Sequence, residues 1–557
     1  MKMIPASTYR IQLNPAFGFA EARRIIPYLS KLGISCLYAS PIFKAKRGST
    51  HGYDVVDPTR ATTELGSPQE LEALFIEVRV HGMGWLQDIV PNHMAFDAEN
   101  QMLIDVLENG PNSKYYPFFD VEWDHPYEGI RGRLLAPFLG DFYGESIEDG
   151  SIRLMYDEDG FAATYYDKRF PIKIESYADL LTHRLDALRQ QMSPTDPDLI
   201  KLHGILGVLY ILKTMPPGMV SDDRYSQIRF IKVMLWELYD QNELVRQHVD
   251  DTLAVLNDRP NRTASIEWVD SLLGDQFFRL SYWKVAVEEI NYRRFFNIND
   301  LISLRVEERS VFEATHSLIF QWIREGKISG IRIDHIDGLY NPTQYLERLA
   351  EQIPDTYTVV EKILSNGELI PEYWAVDGTT GYDFMNAVNG LLCKGENEKA
   401  LSRVYSRFTG MDAPFDQVVY ENKRFIALRR MAGDIENLAH LVKQLAGRYR
   451  RGSDLTLLGL KRAILETLSL LSVYRTYINP DSYRSQDRSI VKEAIDKARR
   501  QNPEWAHELA FIDDLHNPEF HDSLRPEDRA GWLHAVMRFQ QLTGPLMAKG
   551  FEDTALY

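Results

Sequence analysis

Strand-like and helix-like runs alternate at the start of this chain, and that order restricts its fold more than any other feature. Residues 6–13 (ASTYRIQL) alternate apolar with polar, as a strand does. Residues 19–32 (FAEARRIIPYLSKL) repeat their apolar positions at helical spacing, and Gly33 is placed to end that helix. ISCLYASPI then reads as a buried strand, PQELEALFIEVRVHG as a second helix, and MGWLQDIVPNHM as a third strand. Parallel strands need a crossover between them, usually a helix. Strand, helix, strand, helix, strand therefore predicts a parallel α/β sheet.

The rhythm stops near residue 95 and resumes at KISGIRIDHIDGL. Between them, 95–175 is rich in Gly, Asp, Tyr and Pro with short strand-like runs such as SIRLMYDEDGFAATYYDKRFPI, whereas 176–290 is charged and helical. After the resumption come a helix (NPTQYLERLAEQI), a strand (TYTVVEKIL), the run WAVDGTTGYDF, and a long helical stretch from 385. The expected organisation is the start of a barrel over 1–94, a small irregular or β insertion over 95–175 and a helical insertion over 176–290. Barrel strands four to six follow over 291–390, another helical insertion over 391–530, and a last barrel strand over 531–557. At roughly 100–200 residues per domain, 557 residues accommodate this division.

The formal charge of -17 is spread along the chain. It disfavours nucleic acid and anionic membrane as partners, since both would be repelled. Neutral ligands such as sugars remain open, and the 29 Tyr are compatible with them. Cys36 and Cys393 both sit in apolar surroundings, so both are expected to be buried free thiols, with no disulfide framework and no zinc site. No secretory signal and no apolar run of about 18 residues is visible, which predicts a soluble cytoplasmic protein. No oxygen-ligand cluster with EF-type spacing appears, so no metal is expected.

The residues with chemical promise sit at strand ends. In Gly330-Ile331-Arg332-Ile333-Asp334-His335, positions 332 and 334 share a strand face. Barrel enzymes place reacting groups at the C-terminal ends of strands. The adjacent Arg332 is expected to lower the pKa of Asp334 and keep it ionised; a structural ion pair is the alternative. Val359-Val360-Glu361-Lys362 puts Glu361 at the end of the next strand, one strand–helix repeat on. Two such carboxyl groups on neighbouring strands suit a retaining glycosidase, which needs them about 5–5.5 Å apart. Asp88-Ile89-Val90-Pro91-Asn92-His93 ends the third strand, and a histidine there can bind sugar hydroxyls. Ala548-Lys549-Gly550-Phe551-Glu552-Asp553-Thr554 is, taken alone, a polar turn.

In their order along the chain, the four segments resemble the short sequence regions of the α-amylase superfamily of glycoside hydrolases. The resemblance implies a TIM (β/α)8-type barrel with Asp334 as nucleophile, Glu361 as general acid/base and Asp553 as a third carboxylate that binds sugar hydroxyls. It implies that Arg332, His93 and His335 orient these groups, with Asp88, Asn92 and Lys549 beside them. It also implies that Tyr53, in STHGYDVVDP, is an aromatic platform under the sugar, flanked by His51 and Asp54. The longer segments SPIFKAKRGSTHGYDVVDP, INYRRFFNINDL, RVEERSVFEATH, GIRIDHIDGL, GTTGYDF, VYRTY and GPLMAKGFEDTALY resemble the maltooligosyltrehalose synthase family. That resemblance implies conversion of the reducing-end α-1,4 bond of a maltooligosaccharide to an α,α-1,1 bond. The transfer is intramolecular and retaining, and no cofactor is needed. The insertions and the run at 292–296 are expected to help exclude water.

Members of that family continue beyond the segment matching AKGFEDT. The barrel is therefore expected to be incomplete at its C-terminal end. A completing C-terminal polypeptide, a truncated sequence and a non-catalytic glucan-binding remnant are the three possibilities that follow. An α-glucan hydrolase is the alternative enzyme.

Overall fold

The computed structural model describes residues 2–216, 218, 220–258, 263–479 and 482–556. The chain divides into two compact units, Met1–Met94 with Arg294–Tyr557, and Ala95–Arg293.

The first unit is built on a 6-stranded sheet. Its strands are β1 (Thr8–Ile11), β2 (Cys36–Ala39), β3 (Gly84–Ile89), β4 (Gly330–Ile333), β5 (Tyr357–Val360) and β6 (Gly378–Thr379). They lie side by side in chain order, and every neighbouring pair is parallel. The crossovers carry α1 (Phe19–Lys31), α2 (Pro68–Val80), α3 (Arg309–Arg324) and α4 (Pro342–Gln352). Local chemistry sets their limits. In α1 the buried stripe is Phe19, Ala22, Ile26 and Leu29, and Gly33 follows with φ +89°, a left-handed position that favours glycine. Ser67 and Glu70 cap the start of α2 reciprocally. The sheet curls as a half-barrel: Cys36, Leu86 and Val359, from β2, β3 and β5, pack in one cluster with Met3. Lys2, ahead of β1, pairs with Asp377, ahead of β6, at 2.6 Å.

Two expected boundaries are corrected. The segments 95–175 and 176–290 were expected as separate insertions, but they form one compact unit. Its three-stranded antiparallel sheet (Ile152–Asp157, Gly160–Tyr165, Lys168–Pro171) is tied to the helix Glu243–Asn257. The Asn257 side chain accepts from the Leu154 N–H at 2.8 Å and donates to its carbonyl at 2.9 Å. The second correction concerns 531–557, expected to be a barrel strand. It is helical: Pro526–Leu546 runs directly into a π-helical segment, Met547–Leu556. Ala, Met, Leu, Lys and Glu favour a helix there. Met547 and Ala548 gain burial against Tyr474, with Phe296, Ile363 and Phe551 packed on them.

The helical stretch from 385 is present as expected. From Ile426 to Leu546 its helices share one apolar core that includes Trp532 and Phe539. Two helices stand apart from that core. In α5 (Tyr382–Leu391) and α6 (Glu398–Thr409) no residue is buried. Phe384, Leu391, Leu401, Val404 and Phe408 are all exposed, Phe408 by 90%. Cys393, just beyond α5, is also exposed, contrary to expectation, whereas Cys36 is buried. The apolar neighbours of Cys393 are themselves uncovered. Among the described residues no helix is long and apolar enough to cross a membrane.

A buried lysine in α7 (Phe415–Arg430) gives this unit a predictable pH response. Lys423 is 1% exposed, and its ammonium donates to the Leu471 carbonyl at 2.8 Å. Burial pulls its pKa down to about 7. Between that value and the ordinary lysine pKa the unfolded chain holds more protons, so stability rises with pH in this window, by up to about 1.4 kcal/mol per unit. Lys423→Met is expected to raise the melting temperature at pH 7. The gain should shrink toward pH 10, as paired thermal melts would record.

Candidate active site

The pairing register brings the acidic strand ends together. Arg332 lies opposite Asp88 on one side and Val359 on the other. The ladder continues one residue past the strands: the Asp334 N–H donates to the Ile89 carbonyl at 3.0 Å and the Glu361 N–H to the Ile333 carbonyl at 2.9 Å. Asp334 and Glu361 therefore emerge on neighbouring strands at one rim. The Arg332 guanidinium, its side chain 7% exposed, bridges three carboxyl groups. Nη1 donates to Asp88 at 2.8 Å and Asp334 at 2.6 Å, and Nη2 lies 3.1 Å from Glu361. The other Glu361 oxygen accepts the His335 N–H at 2.8 Å.

On its far side, Asp88 accepts from the Tyr53 hydroxyl at 2.6 Å and from Tyr38 at 3.3 Å. Arg10 donates to the Tyr53 hydroxyl at 2.8 Å. Burial and the Asp88 charge push the Tyr53 phenol well up, so it stays a neutral donor. His51 is exposed; its Nδ1 accepts the Tyr53 N–H at 3.0 Å and lies 3.8 Å from Asp54.

The protonation of the pair corrects the expectation for Asp334. Burial first, and then repulsion by Glu361, raise its pKa well above the carboxylate range, despite Arg332. Burial also works against the Glu361 charge, but Arg332 and the His335 N–H outweigh it and lower that pKa. Asp88 is raised by burial. Asp88 and Asp334 are buried, Glu361 is partly exposed, and the charges of Asp334 and Glu361 act on each other. The two groups thus titrate as a coupled pair.

Aromatic rings cover this rim. Phe295 packs on the His93 ring at 4.4 Å, on Phe296 at 4.3 Å and on His335 at 5.0 Å. Phe296 and His335 both have left-handed backbones, with φ of +53° and +48°, a strain that tends to gather at functional sites. The Lys549 ammonium lies 5.3 Å from the centre of the Phe296 ring. Asn92 is buried, with its amide 3.3 Å from His93. A Cβ on Gly338 would come within 2.2 Å of the His335 ring and 2.6 Å of Asn92. Gly338→Ala is therefore expected to displace both and cut turnover by about 10²-fold, with KM and kcat measured separately.

Asp553 does not join the group. It is half-exposed on the terminal helix and pairs with Lys549 at 2.7 Å. Its neighbour Glu552 is the carboxyl within electrostatic reach of Glu361 and Tyr474. A strand would have directed alternate residues inward; the helix directs different ones.

Sequence patterns overlooked several groups. Arg10 and Tyr38 stand on β1 and β2, where their alternation was read only as strand periodicity. More surprising is the support beneath the rim. Lys362 is fully buried and pairs with Asp337 at 3.0 Å and Glu368 at 3.4 Å. The Tyr477 hydroxyl donates to Asp337, and Arg475 donates to the carbonyls of Asp337, Leu339 and Tyr340. Gln541 holds the Gly338 carbonyl at 3.0 Å. The loop that carries His335 is thus clamped by the 474–477 run and by the helix Pro526–Leu546. Among the described residues no group of His, Cys, Asp and Glu could hold a metal ion.

Comparison with known proteins fits this geometry. Residues 23–193 match the family model for the alpha-amylase catalytic domain. The structure of maltooligosyltrehalose synthase from Arthrobacter ramosus superposes with a TM-score of 0.70 at 30% identity, covering 99% of this chain and 56% of that one. A Mycobacterium tuberculosis protein provisionally named maltooligosyl trehalose synthase is 29% identical over 99% of this chain and 56% of its own length. A cyclomaltodextrinase of Thermoanaerobacter pseudethanolicus is 35% identical over 18% of this chain. The chain thus spans about half the length of the relatives it matches from end to end, and its half-barrel is that of an α-amylase-type TIM barrel.

Proposed function

We propose that this chain, similar over 99% of its length to maltooligosyltrehalose synthases, carries the reacting carboxyls of an intramolecular transglucosylation. The reading rests on Asp334 and Glu361, on adjacent strands and bound to one guanidinium. A maltooligosaccharide would enter with its reducing-end glucose beyond the pair and part the two carboxyls. The proton that Asp334 holds would then pass to Glu361. Asp334 attacks the anomeric carbon, the α-1,4 bond breaks, and the departing O4 takes the Glu361 proton. The released glucose turns and presents its anomeric hydroxyl. Glu361 removes that proton as the oxygen attacks the glycosyl ester, and Asp334 leaves as a carboxylate. Two inversions give an α,α-1,1 bond. Only the two carboxyls are needed, with Arg332 stabilising the charge that passes between them.

The turning glucose must meet no water. Phe295 lies over His93 and His335, so it is suited to exclude it. Phe295→Ala is expected to raise free glucose several-fold relative to transfer product; an unchanged ratio counts against this role.

The uncovered apolar face of α5 and α6 suits cover by the part of the relatives' length that this sequence does not span. The deciding assay supplies maltopentaose to the chain, alone and co-expressed with a polypeptide matching the rest of the relatives. The proposal expects reducing power to fall while a nonreducing product of equal mass accumulates. New reducing ends would instead favour the hydrolase suggested by the local likeness to a cyclomaltodextrinase.

A further inference from the structure

The unit formed by Ala95–Arg293 contains a cavity of about 280 Å³ with no part in the chemistry above. Its wall is the strand Phe278–Tyr282, which pairs in parallel with Leu134–Leu139, and it is closed by Arg133, Phe142 and the last turn of the helix Thr263–Gly274. The pairing register shifts between Leu280 and Tyr282, so Ser281 is a bulged residue, and bulges re-aim side chains. Ser281 lines the cavity, is 3% exposed, and among the described residues its hydroxyl has no hydrogen-bond partner. An unsatisfied buried hydroxyl in a native wall calls for a ligand or a water.

Aromatic rings stand at and beside the opening: Phe142 and Tyr282 line the cavity, and Trp283 adjoins Tyr282 outside the lining. Phe142 is 62% exposed and Trp283 43%. Phe142 and Tyr282 stack with centroids 5.2 Å apart, and Trp283 adjoins Tyr282 at 5.9 Å. The charged groups among them are a carboxylate, two guanidiniums and the Lys284 ammonium, which lies 5.4 Å from the centre of the Tyr282 ring and 5.5 Å from that of Trp283. The Tyr143 hydroxyl donates to Asp270 at 2.7 Å. Arg133 donates to the carbonyls of Gly274 and Gly129, and Arg279 lies 3.4 Å from Glu289. With both guanidiniums already engaged and Asp270 adjoining, the cavity is poorly suited to an anion. Exposed rings around a concave floor with a spare hydroxyl fit a neutral, polyhydroxylated ligand.

We propose that this cavity binds a segment of α-glucan chain, its sugar rings lying on Phe142 and Trp283 and a hydroxyl reaching Ser281. The choice of glucan rests on the function proposed above; the site itself rests on its own geometry. The pocket would hold part of a long substrate and raise its local concentration.

The test uses the full chain in native gels cast with soluble amylose, with Phe142→Ala/Trp283→Ala as the variant. Both side chains are exposed, so the melting temperature should not change. Retardation is expected to weaken at least about tenfold in apparent affinity, with turnover of maltotriose unaltered. Unchanged retardation overturns the site. So does retardation relieved by inorganic phosphate rather than by maltoheptaose, which would mark an anion pocket. Capture of a protein by the rings without any effect on amylose binding also overturns it. The two proposals fail separately: a chain that makes no transfer product yet depends on Trp283 for retardation keeps this site and loses the function. A chain that forms the product while its retardation ignores Trp283 does the reverse. Ser281→Val gives a second reading, expected to weaken retardation without loss of fold.

Discussion

Asp334→Asn is expected to lower glucan-transferring turnover by at least about 10³-fold, because the amide cannot attack an anomeric carbon. It should do so without destabilising the protein. Asp334 is buried against Glu361 and shares Arg332 with two other carboxyls, so its pKa is raised. A carboxyl with a raised folded pKa holds its proton in the folded state after the unfolded chain has lost it. Its contribution to stability therefore falls as pH rises above the ordinary aspartate range, toward the folded pKa. Asparagine removes that cost. The variant should melt at or above the wild-type temperature at pH 7, and its advantage should grow from pH 4 upward. A variant that loses activity and stability together would mean that the Asp334–Arg332 pair mainly holds the fold. Binding of maltopentaose should survive, since Tyr53, His93 and Phe295 remain in place.

The largest loss of stability is expected at Arg332. Removing one partner of a buried ion pair leaves uncompensated charge and typically costs about 3–5 kcal/mol. Here the guanidinium serves three carboxyls at 2.6–3.1 Å. Burial works against its charge, but Asp88, Asp334 and Glu361 together drive its pKa above the usual arginine value. Arg332→Leu should be destabilised in that range at pH 7, and less so near pH 5, where the orphaned carboxyls take up protons. Arg332→Lys keeps a charge but cannot reach both sides with a rigid fork, so it should fall between. Urea melts at the two pH values would check both. Equal losses for Leu and Lys at both pH values would show that packing, not charge, accounts for the effect.

These two residues also show how far residue order alone reaches. Their shared face follows from the two-residue period of a strand, and the place of Glu361 on the next strand follows from one crossover helix. Both properties are local, so they can be read without knowing the fold. The proton cannot. Arg332 beside Asp334 suggested an ionised carboxylate, but β3 brings Asp88 to the same guanidinium and β5 brings Glu361. Burial and like charge, both products of sheet pairing, then reverse the direction.

The carboxyl near the chain end marks the same divide. AKGFEDT resembles a strand-end motif, yet strands form only where an edge and an inward face are available. Here Met547–Leu556 packs as a continuation of a helix, turning Asp553 outward to Lys549 and Glu552 toward Tyr474 and Glu361. The clamp of Lys362, Asp337, Arg475 and Tyr477 was equally hidden, because its members are far apart in sequence and each alone is an ordinary polar residue. Residue order specifies the alternation of strands and helices, the parallel sheet, and the rim where Asp334 and Glu361 emerge, since these follow from periodicity over a few residues. Which charges share Arg332, which residue of the terminal segment faces the rim, and that 95–293 is one unit are set by folding. Those depend on electrostatics and burial between segments that only folding brings into contact.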